Sequence, residues 1–167
     1  KDEDICFYFD VSTISRKHLE NGAWVGDETG WEINDYCQQH SNLIEVLMTR
    51  VDDSSVSLKD RCVKANKAKS KLFISIHCNS CTSEDPTGIE TWCYDSATSQ
   101  SRLLATNIQN ALMNRVKPFS LNIKGKDQPI KSRGVKATTA YYTLRHTTMP
   151  SVVVECGFMS NPQEVSL

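Results

Sequence analysis

Short runs of β-forming apolar residues alternate with longer helical stretches along this chain, and that alternation leaves few folds open to it. Ile5 to Phe9, Ile44 to Met48, Leu72 to Ile76, Ile89 to Tyr94 and Ser151 to Val154 read as strands. Tyr141 to Arg145 reads as one more short apolar strand, before Met149-Pro150. Ser57 to Ala68 has a helical pattern, with Leu58, Cys62 and Ala65 at i, i+4 and i+7. Ser101 to Val116 is the clearest helix: Leu104, Ile108 and Leu112 recur at four-residue spacing, and Pro118 ends it. Strands alternating with helices predict an α/β fold with a mixed, mostly parallel sheet flanked by helices. Thr29-Gly30-Trp31-Glu32 has the form of a capping box and predicts a short helix through about His40. Residues 11–30 read as a long polar loop. Residues 119–138, with Lys124, Lys126, Lys131, Arg133 and Lys136, read as a basic one.

A length of 167 residues fits one domain, spanning 1–167. The net charge of −1 supplies no basic footprint for nucleic acid. No apolar run approaches the roughly 18 residues of a membrane span. The start, Lys1-Asp2-Glu3-Asp4, shows no signal peptide. Seven cysteines at irregular spacing do not suggest a disulfide scaffold and read as buried thiols of a reducing compartment. Cys78 and Cys81 form a CxxC without the second pair that a zinc ribbon needs.

Two polar residues stand where an α/β sheet places its ligands, beyond the carboxyl ends of the strands. His77 directly follows Leu72 to Ile76, and Glu155 directly follows Val152 to Val154. Such a pair suits a metal ligand and a general base. It equally suits a capped histidine and an ion-paired glutamate at a sheet edge.

The segment Phe73-Ile74-Ser75-Ile76-His77-Cys78-Asn79-Ser80 resembles the F-I-S-I-H-x-N-A motif of the amidase-3 type zinc amidases, which act on peptidoglycan. Val154-Glu155-Cys156-Gly157-Phe158-Met159-Ser160-Asn161 resembles their V-E-x-G-F-x-S-N motif. Arg133-Gly134-Val135-Lys136 and Leu144-Arg145 with Met149-Pro150 are similar to their R-G-V-K and L-R-x-T-x-M-P stretches. Thr49-Arg50, Arg61 to Asn66, and Gly88-Ile89-Glu90 to Tyr94 match further pieces in order. The resemblance implies one zinc ion held by His, Glu and His with an open position for water. It implies hydrolysis of the amide between N-acetylmuramic acid and L-alanine. His77 corresponds to the second histidine ligand and Glu155 to the catalytic glutamate. Arg133 and Arg145 suit carboxylates of the substrate, because Arg recognises planar anions in a bidentate way.

The N-terminal third departs from that pattern. Where the family carries D-x-G-H-G after its first strand, this chain runs Asp10-Val11-Ser12-Thr13, and His18 is the nearest histidine. His18 is therefore expected as the first ligand. Gly30 stands where the family's glutamate ligand would fall, and Glu28 and Glu32 flank it; one of them is expected to ligate. His40 and His146 are further candidates. After Asn161 relatives continue into a closing helix, and this chain stops at Leu167. The implied partner is peptidoglycan, both glycan strand and stem peptide, met at the bacterial cell wall by a monomer that is exported or phage-released. The two N-terminal departures leave a second reading open, an amidase fold that binds peptidoglycan or a partner without cutting. A third reading is a redox or zinc-ribbon module built on Cys78 and Cys81.

Overall fold

The computed structural model describes residues 5–11, 18–20, 23–25, 44–50 and 54–166. In chain order the elements are strands β1 (Ile5–Val11), β2 (His18–Glu20), β3 (Ala23–Val25) and β4 (Ile44–Met48), then helix α1 (Leu58–Lys67). Strands β5 (Leu72–Asn79) and β6 (Ile89–Tyr94) follow, then helix α2 (Ser99–Val116) and strands β7 (Ser120–Ile123), β8 (Lys126–Pro129) and β9 (Ser132–Thr138). Helix α3 (Tyr142–His146), strand β10 (Ser151–Phe158) and helix α4 (Pro162–Val165) close the order.

The main sheet has six strands in the order β4-β1-β5-β10-β6-β9. The first four run parallel. β6 joins β10 antiparallel, and β9 runs parallel to β6. The expected mixed, mostly parallel α/β architecture is what the chain forms. Central parallel strands are covered on both faces, which is why Val152 to Val154 form an unbroken apolar run with all three residues buried.

Side chains alternate across a strand, so each face has its own set. One face packs on α2: Cys93, Val152 and Val154 meet Ala105, with Ile74, Leu104, Ile108 and Leu112 around them. The other face carries Phe73, Ser75 and His77 on β5, and Ser151, Val153 and Glu155 on β10. Phe73 is fully buried there with Ala65 of α1 and with Leu47 and Met149. Truncating such a phenylalanine to alanine costs on the order of 3–5 kcal/mol. Both long helices start on side-chain caps. Ser57 Oγ accepts from Asp60 N at 3.1 Å, and Thr98 Oγ1 accepts from Ser101 N at 3.3 Å.

Three sequence expectations need correction. Within the stretch read as a long loop, β2 pairs with β3. Asn21-Gly22 between them is a hairpin signal that a composition-based reading overlooks. The basic stretch 119–138 holds the hairpin β7–β8 and the edge strand β9. Its turn uses Lys124 and Gly125 at φ 54 and φ 77, the left-handed pair that a two-residue hairpin connection requires. Edge strands tolerate charge, so β9 lacks the apolar signature of a central strand. Tyr141 to Arg145 is helical rather than extended, because periodicity cannot separate a short apolar strand from one turn of helix. The helix expected over residues 29–40 lies outside the described residues.

Candidate active site

His77 and Glu155 are register partners at the carboxyl ends of β5 and β10, on the face opposite α2. The antiparallel step from β10 to β6 sets Glu90 against Glu155, and β9 sets Lys136 against Trp92. A row of functional side chains therefore crosses four strands: His77, Glu155, Glu90 with Trp92, and Lys136. Ser75, one pleat before His77, lies with Oγ 2.6 Å from His77 Nε2. A partner at that distance holds the ring's orientation, as the outer partners of ligating histidines do.

The two glutamates are both buried, with exposures of 2% for Glu90 and 6% for Glu155. Their surroundings differ sharply. Glu90 Oε2 accepts from Arg133 Nε at 2.6 Å and from Lys136 Nζ at 2.5 Å. Its Oε1 accepts from Trp92 Nε1 and Asn79 Nδ2, each at 3.0 Å. Burial pushes the Glu90 carboxyl up, but the bonds from Lys136, Arg133 and Trp92 outweigh it and hold the group below the usual glutamate value. Among the described residues Glu155 has one bond, from Tyr141 Oη to Oε1 at 3.4 Å. Its Oε2 is buried and has no hydrogen-bond partner among the described residues. Burial, with the Glu90 charge adding to it and the Tyr141 bond opposing, pushes Glu155 up to about 7.

Loops hold this row in place through polar contacts. Asn66 at the end of α1 donates Nδ2 to His146 O at 2.8 Å and accepts from Thr148 N at 3.0 Å, which ties down the segment between α3 and β10. Glu164 of α4 accepts from Gly88 N at 2.7 Å and from Phe158 N at 2.6 Å, pinning the start of β6 to the end of β10. Gly88 sits at φ 109, and a Cβ there would meet Lys131 O at 2.4 Å, so no other residue fits this approach. Beneath Glu90, Gln109 of α2 bonds Thr91 Oγ1, Ile89 O and Ser132 Oγ at 2.9, 3.0 and 3.0 Å. That buried polar group is satisfied three times over, which fixes β6 and β9 on the helix.

Residues 25–167 match the N-acetylmuramoyl-L-alanine amidase family. This chain belongs to that family. It is similar to the N-acetylmuramoyl-L-alanine amidase LytC of Bacillus subtilis, at 37% identity over 122 residues, covering 72% of this chain and 22% of that protein. It is similar to the endolysin of Bacillus phage SPP1, at 35% identity over 126 residues, covering 74% of this chain and 42% of that protein. The chain thus spans less than half the length of these two relatives. Its fold matches the crystal structure of N-acetylmuramoyl-L-alanine amidase from Clostridium difficile 630 with a TM-score of 0.77 and 26% identity, over 98% of this chain and 86% of that one.

Within this amidase fold, the residues singled out from sequence separate into groups. His77 and Glu155 come together as neighbours. Arg133 joins them indirectly, with Nε on Glu90 and its guanidinium 5.0 Å from the Phe158 ring centre. Arg145 is exposed in the last turn of α3. His18 opens β2 opposite Val25, and Glu28 and Glu32 lie outside the described residues, as does His40. His146 stacks on Tyr142 at 3.9 Å, with Nδ1 2.8 Å from Tyr142 O. Among the described residues no three His, Cys, Asp or Glu side chains group as a metal site. The thiols are not uniformly buried: Cys62 and Cys93 are, whereas Cys81 and Cys156 are exposed. Glu90 and Tyr141 were not recognised from sequence as site residues. The signal for Glu90 was a charged residue two before Trp92 inside a β-forming run, with Arg133 and Lys136 available on the next strand.

Proposed function

We propose that this chain is the catalytic domain of a zinc-dependent amidase. It hydrolyses the amide between N-acetylmuramic acid and L-alanine in bacterial peptidoglycan. The observation that carries the reading is the unpartnered, buried Oε2 of Glu155 beside His77, in a chain of this family. A buried carboxylate oxygen left without a partner among the described residues calls for one. A reacting water fills that role.

His77, held at its Nε2 edge by Ser75, fits the part of a metal ligand. His18 and one of Glu28 and Glu32 would complete the set. Zinc, when bound, lowers the pKa of water to near 7 and polarises a carbonyl. Glu155 does the proton work. With a value near neutrality, Oε2 takes a proton from the attacking water and returns it to the leaving amine of L-alanine. Glu90 keeps its charge next to Glu155 and helps to hold it in that range. Arg145 is available to a carboxylate of the stem peptide, whereas the Nε of Arg133 is committed to Glu90. The substrate is met at the cell wall, along both glycan strand and stem peptide, by a monomer reaching it through export or phage release.

The test is incubation with purified peptidoglycan and detection of newly freed L-alanine amino groups by mass spectrometry. The reading predicts their release and its loss on chelation. Binding to the wall without release would instead favour an amidase fold that has lost catalysis, the outcome that the departures at Thr13 and Gly30 would then explain.

A further inference from the structure

The hydroxyl of Tyr141 makes the one hydrogen bond to Glu155 found among the described residues, and the catalytic reading above leaves it without a task. Tyr141 Oη reaches Glu155 Oε1 at 3.4 Å, while Oε2 has no partner among the described residues. The two oxygens of one carboxylate are thereby made different. One is held by the protein and the other is open to a ligand.

The tyrosine is itself held. Its ring meets Trp92 edge to face, with centroids 5.7 Å apart and planes at 86°. Trp92 is anchored in turn by its Nε1 bond to Glu90 Oε1, and Lys136 Nζ stands 5.0 Å from its ring centre. Tyr141 is also the residue from which α3 starts, and the loop that leaves α3 is pinned by Asn66. The chain of contacts from Glu90 through Trp92 to Tyr141 thus runs back to Glu155, the strand neighbour of Glu90. Burial, with the charges of Glu155 and Glu90 adding to it, pushes Tyr141 up to about 12, so the hydroxyl remains a donor throughout the working range.

From this geometry we infer that Tyr141 is a positioning residue for the hydrolysis: it fixes Glu155 through Oε1, with Trp92 as its wall, so that Oε2 is presented to the reacting water. The inference rests on the amidase reading. A hydrogen bond that holds a general base in line acts on the chemical step and leaves substrate binding alone.

The experiment compares wild type, Tyr141→Phe and Glu155→Gln as full chains, zinc-loaded, on a soluble muramoyl-peptide fragment of peptidoglycan. Phenylalanine keeps the ring against Trp92 and removes only the hydroxyl. The expected result is a fall in kcat of about five- to tenfold, as for one lost hydrogen bond of ordinary strength, with KM and Tm essentially unchanged. An unchanged kcat would overturn the inference. So would a loss of activity that tracks a fall in Tm, which a purely structural tyrosine would produce. Trp92→Leu supplies the second reading of the same device: it keeps the hydroxyl but removes its wall, and should lower kcat with KM unchanged. Glu155→Gln separates the two levels of the argument. If wild type itself frees no L-alanine amine, the amidase reading falls; if Glu155→Gln is as active as wild type, Glu155 is not the base and the role of Tyr141 falls with it. If it is inactive while Tyr141→Phe matches wild type, only the positioning role fails.

Discussion

Glu155 and Glu90 face each other across β10 and β6, the same side chain at the same depth in two different regions of the sheet. On the β6–β9 side, four donors surround Glu90 and keep it charged. On the β5–β10 side, Glu155 has one donor, an open oxygen and a negative neighbour, and it rises to about 7. Burial raises both groups, and at Glu155 it is the leading cause of the shift. What holds Glu90 down against it is its supply of hydrogen bonds, which Glu155 lacks among the described residues. Two carboxyls whose values are driven apart mark which one serves structure and which one moves protons.

The hardest test of that contrast is at Glu155. Glu155→Gln is expected to lower the hydrolysis rate by about 10²–10⁴-fold while the fold and bound zinc remain, because an amide cannot shuttle the proton. Rates on purified peptidoglycan and zinc content measure both. A variant of unimpaired rate would assign the proton to some other group.

The next effect belongs to Glu90. Glu90→Ala strands Arg133 and Lys136 and empties a buried, fully bonded position, so the loss is on the order of 3 kcal/mol at pH 7. Urea unfolding curves give the value. Because the Glu90 carboxyl is held below its ordinary range, its stabilisation is present above the unfolded value near 4.5 and is lost as pH falls through the lower folded value. The gap between wild type and variant should therefore close in acid. A gap independent of pH would mean that the ion pairs contribute little.

Glu155 should show the opposite sign. Its folded value is raised from 4.5 to about 7, so its contribution is favourable below pH 4.5 and is lost as pH rises to 7. In metal-free protein at pH 8, Glu155→Gln should be more stable than wild type by on the order of 2–3 kcal/mol, and the difference should vanish at pH 4. Equal unfolding midpoints at both pH values would remove the electrostatic contrast between the two glutamates. The smallest effect is expected away from the row. Cys78→Ser with Cys81→Ser should leave activity within about twofold and cost about 1 kcal/mol or less, since the amidase reading gives neither thiol a part in the chemistry.

Much of this was legible in the chain itself. The central strands announce themselves because burial on both faces demands unbroken apolar runs, and His77 and Glu155 are visible as the first polar residues after two such runs. Helices α1 and α2 show through their spacing. What was illegible shares a cause. β9 and the β7–β8 hairpin are edge or satellite strands whose charge hides them. α3 is too short for its period to register. Glu90 and Tyr141 act through partners from other strands, and a pairing across 43 or 46 residues, as for Arg133 and Lys136 with Glu90, leaves no local trace. That Arg133 reaches a buried carboxylate through its Nε is hidden for the same reason, since a lone arginine in sequence does not show its partner.

Bound zinc per chain, in wild type and in His77→Ala, tests most directly the claim that this face of the sheet is a metal-assisted hydrolytic site. About one zinc in wild type, lost together with hydrolysis in the variant, is the predicted result. Zinc-free wild type that takes up none on soaking, or a variant that keeps its zinc, would contradict it.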